Sequence, residues 1–144
     1  MVRKAESVDL DILTHLALKL WPGHEKAELM SELGEILAKN DAAFFLAESD
    51  GQPIGFVQCQ LRRDYVEGTE SSPVGYLEGV FVEEAFQGKG VAKKLLSACE
   101  NWARAQGCRE FASDCELTNT GSLLFHLAMG FEEANRIICF TKKL

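Results

Sequence analysis

Gly88 and Gly90 flank Lys89 in a short loop that follows an apolar run and opens a helical pattern. Glycines in such a loop let a ligand come close to the backbone. The first N–H groups of a helix have no partners, and the helix dipole favours an anion beside them. Lys89, Lys93 and Lys94 add local positive charge to a chain whose net charge is −7. That is chemistry for a pyrophosphate. It is not a P-loop, because GxxxxGK[ST] is absent. Nor is it the dinucleotide fingerprint, because Lys93 occupies the third glycine position of GxGxxG. Taken alone, the loop also reads as a glycine-rich helix start with solvated lysines.

Two acids stand among apolar neighbours. Glu78 interrupts the run Val74–Val82, and Asp114 ends a segment rich in small and apolar residues. Both fall near the carboxyl ends of strands expected to be adjacent and parallel, where open α/β sheets place ligands. Carboxylates there suit a cationic substrate. Each is equally well satisfied by a nearby Arg or backbone N–H. No nucleophile motif for a covalent intermediate is present, and Cys115 is expected to be a buried structural thiol.

Positioning these residues takes a mixed α/β sheet with helices on both faces. Residues 2–5 read as a first strand. Ser7 or Asp9 can cap a helix reaching Trp21, with Leu10, Leu13, Leu16, Ala17 and Leu20 on one face. A second helix is expected over 26–39. Strands follow at 42–49 and 53–63, joined by the hairpin signal Asp50-Gly51. After a polar loop, 64–73, comes a third long strand at 74–82. A helix from Gly88 to Gly107, a strand at 109–115, a short helix from Thr118 or Asn119 to Gly130 and a strand at 136–142 complete the order β-α-α-β-β-β-α-β-α-β. The helix between strands 74–82 and 109–115 is a crossover, so those two strands should run parallel.

Composition narrows the classes. With 144 residues, 47% hydrophobic and 26% charged, residues 1–144 are expected to form a single globular domain. No apolar run reaches the ~20 residues of a membrane helix. Residues 1–7 are not followed by the apolar stretch of a signal peptide. The five cysteines are odd in number and lack CxxC spacing, which argues against a disulfide framework or a zinc site and for a reducing cytoplasm. Fifteen basic residues against 22 acidic ones disfavour nucleic acid as a partner. The balance suits a cationic partner, although acidic surfaces also serve solubility.

Gln87-Gly88-Lys89-Gly90-Val91-Ala92 matches the (R/Q)xxGx(G/A) motif, and with the element order it resembles the GCN5-related N-acetyltransferase (GNAT) superfamily. The resemblance covers nearly the whole chain. It implies an acetyltransferase fold with acetyl-CoA as co-substrate and no metal. Gln87, Gly88, Lys89, Gly90, Val91, Ala92 and Lys93 would hold the pyrophosphate. Val80, Phe81 and Val82 would offer backbone groups to the pantetheine arm, and Asn119, also a candidate N-cap, would contact CoA. Glu84 stands where a proline is usual.

Further segments are similar to the aminoglycoside 6'-N-acetyltransferases, specifically the dimeric chromosomal and Acinetobacter-type branch. They are Trp21-Pro22-Gly23-His24, residues 63–68, Ser72-Pro73, residues 77–82, residues 110–114 and residues 126–133. This resemblance implies transfer of an acetyl group to the 6'-amine of an aminoglycoside, antibiotic resistance, and a homodimer. Glu78 and Asp114 would be catalytic and substrate-binding, with Trp21, His24 and Tyr65 around them. Asn135, where relatives have Glu, is a further substrate-binding candidate. His126 stands where many relatives carry a tyrosine acid. It can protonate the CoA thiolate or simply pack beside Phe131. An amine with a pKa of ~10.4 is neutral only about once in a few thousand molecules at pH 7, which costs roughly 4.6 kcal/mol. A binding carboxylate raises that pKa further. Glu78 is therefore read chiefly as an anchor, with proximity and backbone N–H groups supplying most of the rate. Two alternatives remain: acetylation of another small amine, such as a polyamine, and a non-catalytic CoA-sensing module.

Overall fold

The computed structural model describes residues 1–144. The elements are β1 (Val2–Lys4), α1 (Leu10–Leu20), α2 (Lys26–Leu37), β2 (Ala42–Ser49), β3 (Gln52–Arg62), β4 (Val74–Val82), α3 (Val91–Ala105), β5 (Phe111–Ala112) and α4 (Thr120–Ala128), with 3-10 turns at Ser7–Asp9 and Glu84–Phe86. One five-stranded sheet runs β1-β2-β3-β4-β5. Its first three pairings are antiparallel, and β4 with β5 is parallel, as the α3 crossover requires.

The strands are apolar on both faces because both faces are covered. In β2, Ala43 and Ala47 face a cluster with Val57, Cys59, Leu77, Leu95, Leu96 and Cys99, which seats α3 on the sheet. The alternate residues Phe44 and Leu46 face the other way, with Phe56, against Leu13, Leu16 and Ala17 of α1 and Leu29 and Leu33 of α2. The period-2 pattern of the strand and the helical stripes therefore agree.

Three boundaries differ from expectation. First, α3 begins at Val91 rather than Gly88, because Gly88 and Gly90 both have positive φ, 75° and 82°, which no α-helix accommodates. Second, β5 keeps only two residues of the expected 109–115, since only Gly75↔Phe111 and Tyr76↔Ala112 pair with β4. Third, the strand expected at 136–142 does not form. Residues 131–144 carry no regular structure, and every residue from Glu132 onward is exposed. A strand exists only where a second backbone takes its hydrogen bonds, and no neighbouring strand of this chain does so.

The N-terminus is tied down by a charged knot. Arg3 donates to both Asp9 oxygens, at 2.9 and 2.8 Å, and to Glu48 at 2.8 Å, while Asp9 also accepts from the Glu6 N–H at 2.8 Å. Asp9 is buried, and the Arg3 guanidinium holds its carboxyl below the usual carboxylate range. A depressed folded-state pKa means this stabilisation is complete above the unfolded value of ~3.9 and is lost as pH falls through the folded value. Asp9→Asn should therefore cost about 2–3 kcal/mol in urea unfolding at pH 7. The gap between the two proteins should narrow steadily below pH ~4. A gap that stayed constant down to pH 2 would mean the pair contributes no linkage.

Candidate active site

The sheet opens at its centre. Beyond Tyr76 and Ala112, β4 and β5 no longer pair, so the β5-facing backbone edge of β4 from Leu77 to Val82 has no strand beside it. The β3–β4 register slips at the same place. Gln58 faces Gly79 and Cys59 faces Leu77, leaving Glu78 as the extra residue of a β-bulge. Bulges bend a strand and re-aim a side chain. Here that side chain is the acid singled out from the sequence.

Glu78 is not free. Arg62, at the end of β3, donates to Glu78 Oε1 at 2.8 and 3.2 Å and to Oε2 at 3.2 Å. The same guanidinium lies 3.4 Å from the ring centroid of Tyr76, a cation–π contact. Tyr76 Oη donates to Asp114. Burial comes first, and the Asp114 carboxylate second, in pushing the Tyr76 phenol well above its ordinary value, so it remains a donor. The two acids are thus linked through Glu78–Arg62–Tyr76–Asp114. The reading in which each acid has a protein partner holds for both. Neither Arg62 nor Tyr76 was picked from the sequence. The signal available was register: Tyr76 faces Gln60, which places Arg62 diagonally across from it.

A cavity of about 710 Å³ lies over the Arg62–Tyr76–Asp114 part of this network, with Arg62, Tyr65, Tyr76, Asp114 and Asn135 in its walls, whereas Glu78 does not line it. Tyr65 stands at its mouth, 76% exposed. Asn135 donates to Glu67 at 3.0 Å and accepts from the Arg136 N–H at 2.8 Å. Trp21 packs on β4 outside the cavity: a Cβ on Gly79 would lie 2.6 Å from its ring, so only glycine lets the indole sit against the strand next to Glu78. His24 is exposed in the turn after α1, bonded by its N–H to the Trp21 carbonyl at 3.4 Å, and does not line the cavity.

At the other end of the open edge, Val80, Phe81 and Val82 lead into the glycine turn. The Gln87 side chain donates to the Val82 carbonyl at 2.9 Å and ties the turn to the strand. Gly90 is the N-cap of α3 and supplies no side-chain cap, so the N–H groups of Val91, Ala92 and Lys93 face outward unclaimed by any cap. Lys89 lies 5.6 Å from the Phe86 ring centroid, and Lys93 is exposed. An open strand edge followed by an uncapped, lysine-flanked helix start fits a ligand with an amide-bearing arm and a pyrophosphate.

Both ring nitrogens of His126 have partners. Nδ1 lies 2.7 Å from the Ser122 carbonyl, which can only accept, so Nδ1 carries the proton in the neutral ring. Nε2 then accepts from Ser113 Oγ at 2.8 Å, and Ser113 Oγ is also 3.3 Å from the Leu77 carbonyl. The ring packs edge-on to Phe131 at 5.1 Å, the packing role expected of it. Asn119 caps α4 by accepting from Ser122 N–H at 3.0 Å. Cys115 is exposed, contrary to expectation, because the chain has already left the sheet. Cys59, Cys99 and Cys108 are the buried thiols, and all five are free.

The comparisons agree with this geometry. The model of the acetyltransferase (GNAT) family matches residues 10–131. An aminoglycoside N(6')-acetyltransferase type 1 of Salmonella typhimurium is 43% identical over 142 residues, covering 99% of this chain and 98% of its own. That of Acinetobacter haemolyticus is 39% identical over 143 residues, at 99% and 98% coverage. Among solved structures, AAC(6')-Iy in complex with the bisubstrate analog CoA-S-monomethyl-acetylneamine superposes with a TM-score of 0.95 at 42% identity, covering 100% of this chain and 98% of that one. The apo enzyme AAC(6')-IG from Acinetobacter haemolyticus gives 0.95 at 38% identity, with 100% and 99% coverage. An open β4 edge, a glycine turn at the start of α3 and full-length likeness lead to one assignment: the chain belongs to the acetyltransferase (GNAT) family.

Proposed function

We propose that the protein transfers an acetyl group from acetyl-CoA to the 6'-amine of aminoglycoside antibiotics, and that residues 1–144 act as one catalytic domain. The observation that carries this reading is the gap between β4 and β5. It has an uncapped pyrophosphate turn at one end and two carboxylates, Glu78 and Asp114, at the other. Gln87 to Lys93 hold the pyrophosphate, the backbone of Val80 to Val82 aligns the arm, and Asn119 adds a contact at the cap of α4. Acetyl-CoA supplies the activated acyl group.

This chain's own residues position the amine. Asp114 and Glu78 bind ammonium groups of the substrate, with Tyr65 and Asn135 shaping the walls, while Trp21, packed on β4 next to Glu78, and His24 meet outer parts of a bound antibiotic. Because Arg62 already holds Glu78, a substrate ammonium competes with that guanidinium. Asp114, with a neutral donor as partner, is the readier anchor. Reaction follows direct attack in a ternary complex, its rate set by proximity and by N–H groups of the open β4 edge that polarise the thioester carbonyl. The net negative charge draws a polycation to the site. The protein works as a homodimer in the cytoplasm, where acetyl-CoA is available and free thiols persist. No helix is long and apolar enough to cross a membrane.

The test is release of free thiol from acetyl-CoA with kanamycin or tobramycin as acceptor, against a matched aminoglycoside bearing a 6'-hydroxyl. Turnover with the amine and none with the hydroxyl is expected. Tight acetyl-CoA binding without turnover on either would overturn the assignment.

A further inference from the structure

The two acids of the site are held in different ways, and the difference traces to one side chain. Glu78 has a cation, Arg62, as its partner and does not line the cavity. Asp114 does line it and has a neutral partner: Oδ2 accepts from the Tyr76 hydroxyl, and Oδ1 makes no hydrogen bond within the chain. Asp114 follows the end of β5, in an exposed segment without regular structure. Its neighbour Ser113 is fixed by His126 and the Leu77 carbonyl, so the backbone reaches Asp114 in a defined place. The carboxylate itself is held by Tyr76 alone. A short side chain on an exposed, irregular segment samples several rotamers unless a partner selects one.

Tyr76 is built to be that partner. It sits on β4, only 6% exposed, in a cluster with Val66 and Val74. With two χ angles and a packed ring, its hydroxyl has little freedom. Burial keeps the phenol protonated, so it donates without bringing charge, and the carboxylate keeps its negative charge for a ligand. The ring has a second effect. Arg62 stacks on its face, 3.4 Å from the centroid, with the guanidinium turned to Glu78. Arg62 and Asp114 line the same cavity. An arginine fork within reach of a free carboxylate forms a charge-assisted pair with it. Such a pair would close the anchor to substrate. The stack holds the cation on one acid and leaves the other open.

We propose that Tyr76 is a positioning residue for the acceptor: its hydroxyl fixes Asp114 with Oδ1 free for an ammonium, and its ring keeps Arg62 on Glu78 and off Asp114. The inference rests on Asp114 as the ammonium anchor and adds what makes that anchor available. Ordering a binding group before the ligand arrives removes part of the cost of binding. Tyr76 acts here through Asp114, so its effect falls on acceptor affinity, not on acetyl-CoA and not on turnover at saturation.

Tyr76→Phe keeps the ring and its stack and removes only the tether. The KM for kanamycin should rise about tenfold with kcat within about twofold and KM for acetyl-CoA unchanged. In the Asp114→Asn background the same change should cost less than about twofold, because no charge is left to position. Tyr76→Leu removes the stack as well and lets Arg62 reach Asp114. Its kanamycin KM should rise further, and Tyr76→Leu, Arg62→Gln should recover part of the loss, which lost packing alone does not allow. Kanamycin binding to the CoA-loaded protein is titrated by calorimetry beside the kinetics. Kanamycin bound but never acetylated overturns acetyl transfer and leaves the Tyr76 comparison readable in the dissociation constants. No binding by the wild type overturns both. A Tyr76→Phe protein with the wild-type KM and dissociation constant overturns the tether, as does a tenfold cost that persists in Asp114→Asn. A fall in kcat and melting temperature at constant KM makes Tyr76 a structural residue only. A double variant with no recovery overturns the role of the ring.

Discussion

Asp114→Asn is expected to lower kcat/KM for a 6'-amino aminoglycoside about a hundredfold, equivalent to roughly 2.7 kcal/mol, while KM for acetyl-CoA stays within about twofold. The asparagine is chosen because its carbonyl still accepts from Tyr76, so the one protein partner of this carboxylate is kept. What disappears is the charge. A charge-assisted hydrogen bond to an ammonium contributes about 1.5–3 kcal/mol, more where water is excluded. The loss should fall mainly on the acceptor's KM, since the anchor binds ground state and transition state alike. Asp114→Ala makes a useful contrast. It removes the same charge and also strands the buried Tyr76 hydroxyl, adding about 1–3 kcal/mol of lost stability. If Asp114→Asn turned over normally while Asp114→Ala lost only stability, Asp114 would be a structural partner of Tyr76 and nothing more.

Glu78 should respond differently. Removing it frees Arg62 and leaves a cation stacked on Tyr76 at the edge of a site built for a polycation. The loss in Glu78→Gln therefore combines a missing anchor with a new repulsion, and part of it should return in Glu78→Gln, Arg62→Gln. This partial rescue distinguishes the linked pair from two independent acids.

What the sequence disclosed follows the range of the interactions. The glycine turn was legible because its logic is local: a strand, two glycines and a helix start within about twenty residues. The two faces of the sheet were legible because Phe44 and Leu46 alternate with Ala43 and Ala47 in a single run. The Glu78–Arg62 pair was hidden because it spans a hairpin whose register carries a bulge, and a one-residue slip moves every side chain to the other face. Tyr76 lies within an apolar strand, and only its place diagonal to Arg62 and its reach to Asp114 give it a role. His24 was grouped with the site through a resemblance in sequence, whereas the turn after α1 leaves it in solvent. The strand expected at 136–142 does not form. Its residues have strand character, but no β-strand forms without a second backbone, and propensity does not say which molecule provides it.

Gly90→Val tests the other half of the site, and its expected effect is as large. Gly90 sits at φ 82°, where a β-branched residue is strongly disfavoured. Relieving that strain would turn the N–H groups of Val91 to Lys93 away from where the pyrophosphate must lie. Losing two charge-assisted hydrogen bonds at about 1.5 kcal/mol or more each predicts a hundredfold or greater rise in KM for acetyl-CoA. No atom lies within 4 Å of a Cβ placed on Gly90, so the substitution meets open space rather than the core. Thermal unfolding separates the two causes. Saturating CoA at ~100 Kd stabilises the wild type by about 2.7 kcal/mol. The variant should unfold a few degrees lower without ligand and gain nothing when CoA is added. Gly90→Ala, which has the smaller penalty in left-handed backbone, should fall between the two. The aminoglycoside side of the site is untouched by either change, so KM for the acceptor at saturating acetyl-CoA should hold in Gly90→Ala. A Gly90→Val protein that bound CoA as tightly as the wild type would show that the open helix start is not where the pyrophosphate sits. The functional reading would then lose its firmest support.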